Sequence, residues 1–482
     1  MSESSRRLGP LWLVSAAIAG LGSWVLYDAL PGINWVLWTG AAAAGLLVFS
    51  RRRGRAVRVV LLTGIAATAV AGAAAVTSSP PLWALIVLAV VFFLATGMLL
   101  AAGLSLRAVT ARFFVFAPLI AFMNAALQTM RRTGEATQLI RSSRARAWTR
   151  GLAITLPILL IFSLLLAGAD PVFAAWRDAV RDFFGGWEFV VRLVFFAALL
   201  VIVLGAYGYA SADSGSSTDP EQVPNRWLGS TERLILLAGV AALFWLFLAV
   251  QLGYLFGNLP TAPESGVTFA EYARRGFAEL TVVASASALL IVVSEVYGKD
   301  EGRRSMLRFL TLAVIAAVLL LLGSAFRRVW LYEEAYGFTT ARLYAQFYMG
   351  AVAAGLFILS LEVTGSFDPG RVFRRALAAA TILFIGLIYW NHEGWIASRN
   401  LERFGSTGKL DVAYLARGLS LDAVPAIAER LPSLPDSIRS EVQRAVQEQL
   451  ARREEARARR WFEWNRASSR ARKAVHASFG AP

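Results

Sequence analysis

Glu271, Arg275 and Glu279 recur at every fourth position within the string FAEYARRGFAEL (269–280), with Arg274 beside them. On an α-helix, residues at i, i+4 and i+8 line one stripe, so two carboxylates bracket a guanidinium. The stripe leaves a polar loop, 258–268, and runs into an apolar stretch ending near Val293. An ionisable side chain at a bilayer centre costs about 2.5–3.5 kcal/mol on insertion scales, so such groups pair and face protein or water. Two readings suit the pattern. Paired Arg and Glu bind an anionic or zwitterionic group, because a guanidinium grips carboxylate or phosphate through two hydrogen bonds. The same residues equally mark a membrane interface and form local salt bridges.

Other polar residues gather at the ends of other apolar runs. LYEEAYGFTTARLYA (331–345) carries Glu333, Glu334, Tyr336 and Arg342, and Asn391, His392 and Glu393 close the last run. Asp170, Arg327 and Arg328 join this set, and Asn400 and Asp411 follow in the tail. His392 and Glu393 offer a base and its orienter, although neighbours on a helix point about 100° apart. Asp28 stands just past the first apolar run, where glycosyltransferases that use lipid-linked sugars carry a catalytic aspartate. That match is one residue and an outline, hence an analogy. Walker, GxGxxG, HExxH and GxSxG patterns are missing. The chain has no cysteine and two histidines, which excludes disulfides and thiolate sites and argues against a histidine-rich metal site. No catalytic residue, cofactor or metal is expected.

The elements that must hold these residues are membrane spans. The 482 residues are 57% hydrophobic and only 17% charged, below the roughly 25% of soluble domains. The charges cluster between apolar runs of about 20 residues, the length that crosses about 30 Å of hydrocarbon. Eleven spans are expected: 11–27, 35–50, 57–76, 82–106, 151–168, 190–209, 234–256, 269–295, 307–326, 342–361 and 376–390. The first has a basic start and reads as an uncleaved span, being longer than a signal-peptide core. The segment 113–130 is ambiguous. It is long enough to cross but contains Pro118, Asn124 and Gln128, and six arginines and one glutamate follow in 131–150. It is assigned to the cytoplasmic interface or a re-entrant piece; if it crosses, twelve spans result and every later loop inverts.

A net charge of +16 would suggest nucleic acid in a soluble protein. Here the arginines sit in the loops 51–58, 107–150, 299–308 and 371–375, which the positive-inside bias places in the cytoplasm. The loops 28–34, 77–81, 169–187, 258–270 and 328–341 then fall outside, together with the basic tail. Anionic headgroups are the simpler partner for the excess charge, and nucleic acid is not expected.

An amphipathic surface helix is expected over 169–187. The tail reads as helical. Asp422 is placed to cap a short helix with Pro425 in its first turn, and Ser433–Asp436 resembles a capping box opening a helix through about Arg460. Trp461 and Trp464 then lie beside Arg466, Arg470, Arg472 and Lys473, either packed on the rest of the tail or against lipid headgroups. The fold class is all-α: a polytopic membrane protein with a small helical C-terminal domain. Its segments are a four-span part (1–106), a basic interfacial part (107–150), a seven-span core (151–393) and the extramembrane tail (394–482).

Six strings occur in a specific order: ADPVF (169–173), QLGYLFG (251–257), FAEYARRGFAEL (269–280), LYEEAYGFTTARLYA (331–345), NLERFGSTGKLDVAYLARGLSLDAVPAI (400–427) and WFEWNRASSRARKA (461–474). From about Gly151 onward the chain resembles a family of bacterial multi-pass membrane proteins known only as a domain of unknown function. The resemblance implies a bacterial cell membrane and a membrane domain joined to a helical tail, and it carries no catalytic roles. It agrees with Glu271, Arg275, Tyr336, Arg342, Asn400 and Asp411 as residues to test. The functional expectation is a non-enzymatic protein that binds or moves a small polar or lipid-headgroup ligand at its outer face. The alternatives are a transferase acting on a lipid-linked substrate, with Asp28 or Glu393 as base, and a sensor or assembly partner whose tail meets another envelope protein.

Overall fold

The computed structural model describes residues 3–50, 55–103, 118–129, 187–211, 226–256, 269–299, 302–455 and 460–479. Among these, the chain is helical with no β-strand. Among the described residues, eight helices are long and apolar enough to cross a membrane, and two shorter apolar helices, Gly9–Val25 and Ile33–Phe49, accompany them. The protein is a polytopic α-helical membrane protein. Ten of the eleven expected spans coincide with these helices; the expected span 151–168 and the surface helix expected over 169–187 lie outside the described residues. Residues 118–129 are helical, and the flanks that bear on whether 113–130 crosses lie outside the described residues.

Two compact units are present. The first comprises residues 1–106, 112–218 and 457–466. Its described helices are α1 (Glu3–Val25), α2 (Ile33–Phe49), α3 (Arg55–Gly72), α4 (Pro80–Ala102), α5 (118–129) and α6 (Trp187–Ser211). α2 packs on α3, α3 on α4, and α6 on α1 and α4. Small residues make this possible, since without a hydrophobic drive between helices in lipid, close backbone approach supplies the attraction. Ala19, Ala67, Ala71 and Ala74 are all fully buried.

The second unit comprises residues 107–111, 219–456 and 467–482. Five long helices form its membrane part: α7 (Ser230–Phe256), α8 (Phe269–Tyr297), α9 (Arg304–Tyr336), α10 (Thr340–Thr364) and α11 (Pro369–Tyr389). α9 is central and packs on α7, α8 and α10, burying Val314, Val318, Leu321 and Ala325. Leu243, Leu246 and Phe309 are more than 60% exposed, which marks the faces turned to lipid. A second core, distinct from the membrane one, gathers Phe338, Leu343, Ile396, Leu415, Ile427, Val442 and Val446. It unites the α9–α10 turn with α12 (His392–Thr407), α13 (Val424–Arg430), α14 (Asp436–Glu455) and α15 (Arg466–Phe479).

Several boundaries differ from expectation. α9 has 33 residues, about 50 Å at 1.5 Å per residue, and therefore outruns the hydrocarbon by several turns. The stretch 328–336, expected as loop, is the end of that helix. Asp422 does not cap α13; Ala423 holds the cap position, and Asp422 accepts from the Ser420 hydroxyl at 2.9 Å. Ser433 does not open α14 either, because it lies in a 3-10 turn and its hydroxyl donates back to the Arg430 carbonyl. Trp461 lies in another 3-10 turn with Trp464 just beyond it, and both belong to the first unit instead of packing on the tail.

Candidate functional site

One group of polar residues in the second unit lies at the turn between α9 and α10. α9 stops because Gly337 adopts φ +89°, a left-handed conformation that only glycine takes without strain. Its amide donates to the Glu333 carbonyl at 2.7 Å. Thr339 then accepts the first side-chain cap bond of α10, from the Arg342 amide.

Three residues of the tail hold this turn. Asn400, 7% exposed, accepts from the Phe338 amide at 2.7 Å and donates to the Phe338 carbonyl at 2.9 Å. A side chain at Gly337 would meet the Asn400 amide oxygen at 2.8 Å, so two constraints fix glycine there. The Tyr414 hydroxyl accepts from the Thr340 amide at 2.8 Å. Arg403 donates to the carbonyls of Glu334, Ala335 and Lys409, neutralising the negative end of the α9 dipole. Arg403 was not among the sequence candidates. Its one signal was its position three residues after Asn400, on the same face of α12.

Glu333 sits one turn before Gly337 and is 1% exposed. One carboxylate oxygen accepts from Gln346 Nε2 at 2.7 Å; the other, Oε1, is buried with no hydrogen-bond partner among the described residues. A buried carboxylate oxygen without a donor costs about 1–3 kcal/mol or more. Arg342 lies over the Tyr332 ring, with its guanidinium carbon 4.2 Å from the centroid, and donates to the Gly337 carbonyl. Tyr336, half exposed, stacks beside Tyr332 at 4.8 Å between ring centres. Glu334 is exposed and accepts from the Trp330 indole at 2.8 Å.

A second buried group lies at the start of α12. Asn391 caps that helix, accepting from the Gly394 amide at 2.9 Å and donating to the Asp422 carbonyl at 3.0 Å. His392 is 2% exposed; its Nε2 lies 3.0 Å from the Tyr344 hydroxyl and its Nδ1 3.3 Å from the Trp390 carbonyl. A carbonyl only accepts, so Nδ1 is assigned the proton and Nε2 accepts from the tyrosine. Glu393 Oε2 accepts the Ser420 amide at 2.5 Å, and Oε1 stands 4.0 Å from His392 Nε2. Both residues lie in the first turn of the tail helix, not at the end of a span.

The remaining candidates stand apart from this turn or outside the described side chains. Glu279 is exposed on α8. Glu271, Arg274 and Arg275 fall on the helical backbone of α8, and their side chains lie outside the described residues. Asp411 is exposed and accepts from the Tyr414 amide at 2.9 Å, a local cap for the turn 414–418. Among the described residues, no group of three or more His, Asp or Glu side chains is arranged to hold a metal ion.

Residues 64–430 match a family described as a domain of unknown function, DUF4153. No curated protein and no solved structure matches the chain.

Proposed function

This chain belongs to the DUF4153 family, and from that premise we propose that it binds or moves a small polar or lipid-headgroup ligand at the α9–α10 rim. The observation that carries the reading is the Glu333 oxygen, buried and without a donor among the described residues. An ammonium or hydroxyl brought there satisfies it, while the neighbouring Arg342 offers charge to a phosphate or carboxylate on the same ligand. A zwitterionic headgroup, such as ethanolamine phosphate, combines both halves. The reading places no chemical step at His392 or Glu393. His392 is engaged on both ring nitrogens, and Glu393 holds the Ser420 loop.

The proposed location is the bacterial cell membrane, with the N-terminus cytoplasmic and the tail and rim extracytoplasmic. The arginine-rich loops support the orientation. The packing of residues 460–466 on the turns after α1 and α3, one and three crossings from the N-terminus, supports an opposite side for this segment and the N-terminus.

The test is native mass spectrometry of the purified protein with phosphatidylethanolamine. Wild type retains the lipid, whereas Glu333→Gln and Arg342→Ala lose at least tenfold in retention with unchanged thermal stability. Variants that keep the lipid, or that fail to accumulate as folded protein, favour a purely structural network at the rim.

A further inference from the structure

We infer that Arg460–Arg466 is a membrane-interface strap whose exposed Trp461 and Trp464 insert at the headgroup–acyl boundary of the bilayer. The segment is anchored within the first unit by four features. Phe462, 2% exposed, meets the Trp24 ring edge-on at 5.4 Å. Asn465, 3% exposed, donates to the carbonyls of Ala74 and Thr77 at 2.8 and 2.9 Å. The Trp464 carbonyl accepts from the Ile33 amide at 3.2 Å. Arg460 donates to the Asp28 carbonyl at 3.0 Å. Gly32 makes room for the strap: a side chain there would stand 2.6 Å from the Trp464 carbonyl oxygen and 2.7 Å from the Glu463 carbonyl carbon.

These anchors hold the backbone yet leave Trp461 65% and Trp464 47% exposed. Two large aromatic rings held out this firmly need an apolar neighbour. Their place supplies one. The anchors are the last turn of α1, the first residue of α2 and the turns that join α1 to α2 and α3 to α4. Such turns mark where the chain leaves the hydrocarbon. Trp24, Trp35 and Trp83 sit at the same helix ends, and Trp24 is 49% exposed. Tryptophan gathers at that depth because its ring is apolar and its N–H seeks water or carbonyl oxygen. Exposed Arg466 and half-buried Arg460 flank the strap, at the level where phosphate groups attract cations. The occupant of this surface is therefore the lipid interface itself.

The absence of cysteine permits a direct test. Spin labels on Trp461→Cys and Trp464→Cys, in phosphatidylcholine nanodiscs, are compared with Glu441→Cys on an exposed site of α14. Labels at 461 and 464 collide several-fold more with oxygen, relative to a water-soluble nickel chelate, than the label at 441 does. In a Gly32→Val background the difference disappears. Equal water access at all three positions overturns the inference. If the cysteine variants do not fold, bromines high on the acyl chains serve instead. They quench wild-type fluorescence by a larger fraction than that of Trp461→Phe/Trp464→Phe, and equal quenching overturns the inference.

Discussion

Glu333 and Asn400 both reach the α9–α10 turn and do opposite things there. Asn400 satisfies both polar groups of the Phe338 backbone, and its own amide is used in full view of that turn. Asn400→Ala leaves a buried N–H and a buried carbonyl unpaired, at about 1–3 kcal/mol each. Chemical denaturation in detergent is expected to show a loss of about 2–4 kcal/mol, with fast amide exchange at Phe338. Asn400→Asp keeps the acceptor and loses roughly half as much. Glu333 has the reverse signature. Glu333→Gln keeps the shape and removes a charge whose Oε1 has no donor, so stability is expected to stay within about 1 kcal/mol while ligand retention falls. A stability loss in Glu333→Gln as large as that of Asn400→Ala would assign Glu333 to the structural network. Both residues were visible in the sequence as polar groups near apolar runs. Their opposite roles were not, because the difference lies in which neighbour supplies the second hydrogen bond.

At the scale of elements, α9 separates two polar ends. Thr311 near its start donates to Glu295 at 3.3 Å, and Glu295 pairs with Arg233 of α7 at 2.8 Å. Glu333 is 22 residues further on, about 33 Å along the helix, with apolar packing between. That spacing matches the thickness of the hydrocarbon. Arg233 is 1% exposed, so replacing Glu295 takes a carboxylate away from a buried guanidinium. Glu295→Ala is expected to cost about 3–5 kcal/mol, and Arg233→Met/Glu295→Leu to restore much of it. Comparable losses in the single and double variants would show that the pair is not what matters there. The apolar runs made α7 to α11 readable from hydropathy, since in lipid every backbone group must be paired within a helix. Hydropathy did not show where α9 ends, because its last turns are held by Asn400, Arg403 and Gly337, from remote parts of the chain and a backbone φ. Nor did it show the tail's short elements. The capping pattern at Ser433–Asp436 was overridden by a 3-10 turn, and Asp422 was taken by Ser420.

At the scale of the whole molecule, this is a polytopic membrane protein whose α9–α10 turn holds a buried carboxylate oxygen with no hydrogen-bond partner among the described residues. The fold class followed from composition and run length; the candidate site followed only once residues 333, 346 and 400 were brought to one turn by folding. The strap 460–466 was legible as a tryptophan pair in a basic stretch, while its seat on the turns after α1 and α3 was not. A prediction about sidedness follows from that seat. Single cysteines at Ala29 and Glu441 are expected to react with a membrane-impermeant maleimide added to intact cells, and one at Ser5 to react only after lysis. Labelling of Ser5→Cys in intact cells would invert the orientation.

The most direct test of the central proposal is a density map of the protein in phosphatidylethanolamine nanodiscs. Non-protein density is expected within hydrogen-bonding distance of Glu333 Oε1 and extending toward Arg342, absent in Glu333→Gln. A well-ordered rim with only protein atoms or a lone water at Glu333, identical in both proteins, would contradict it.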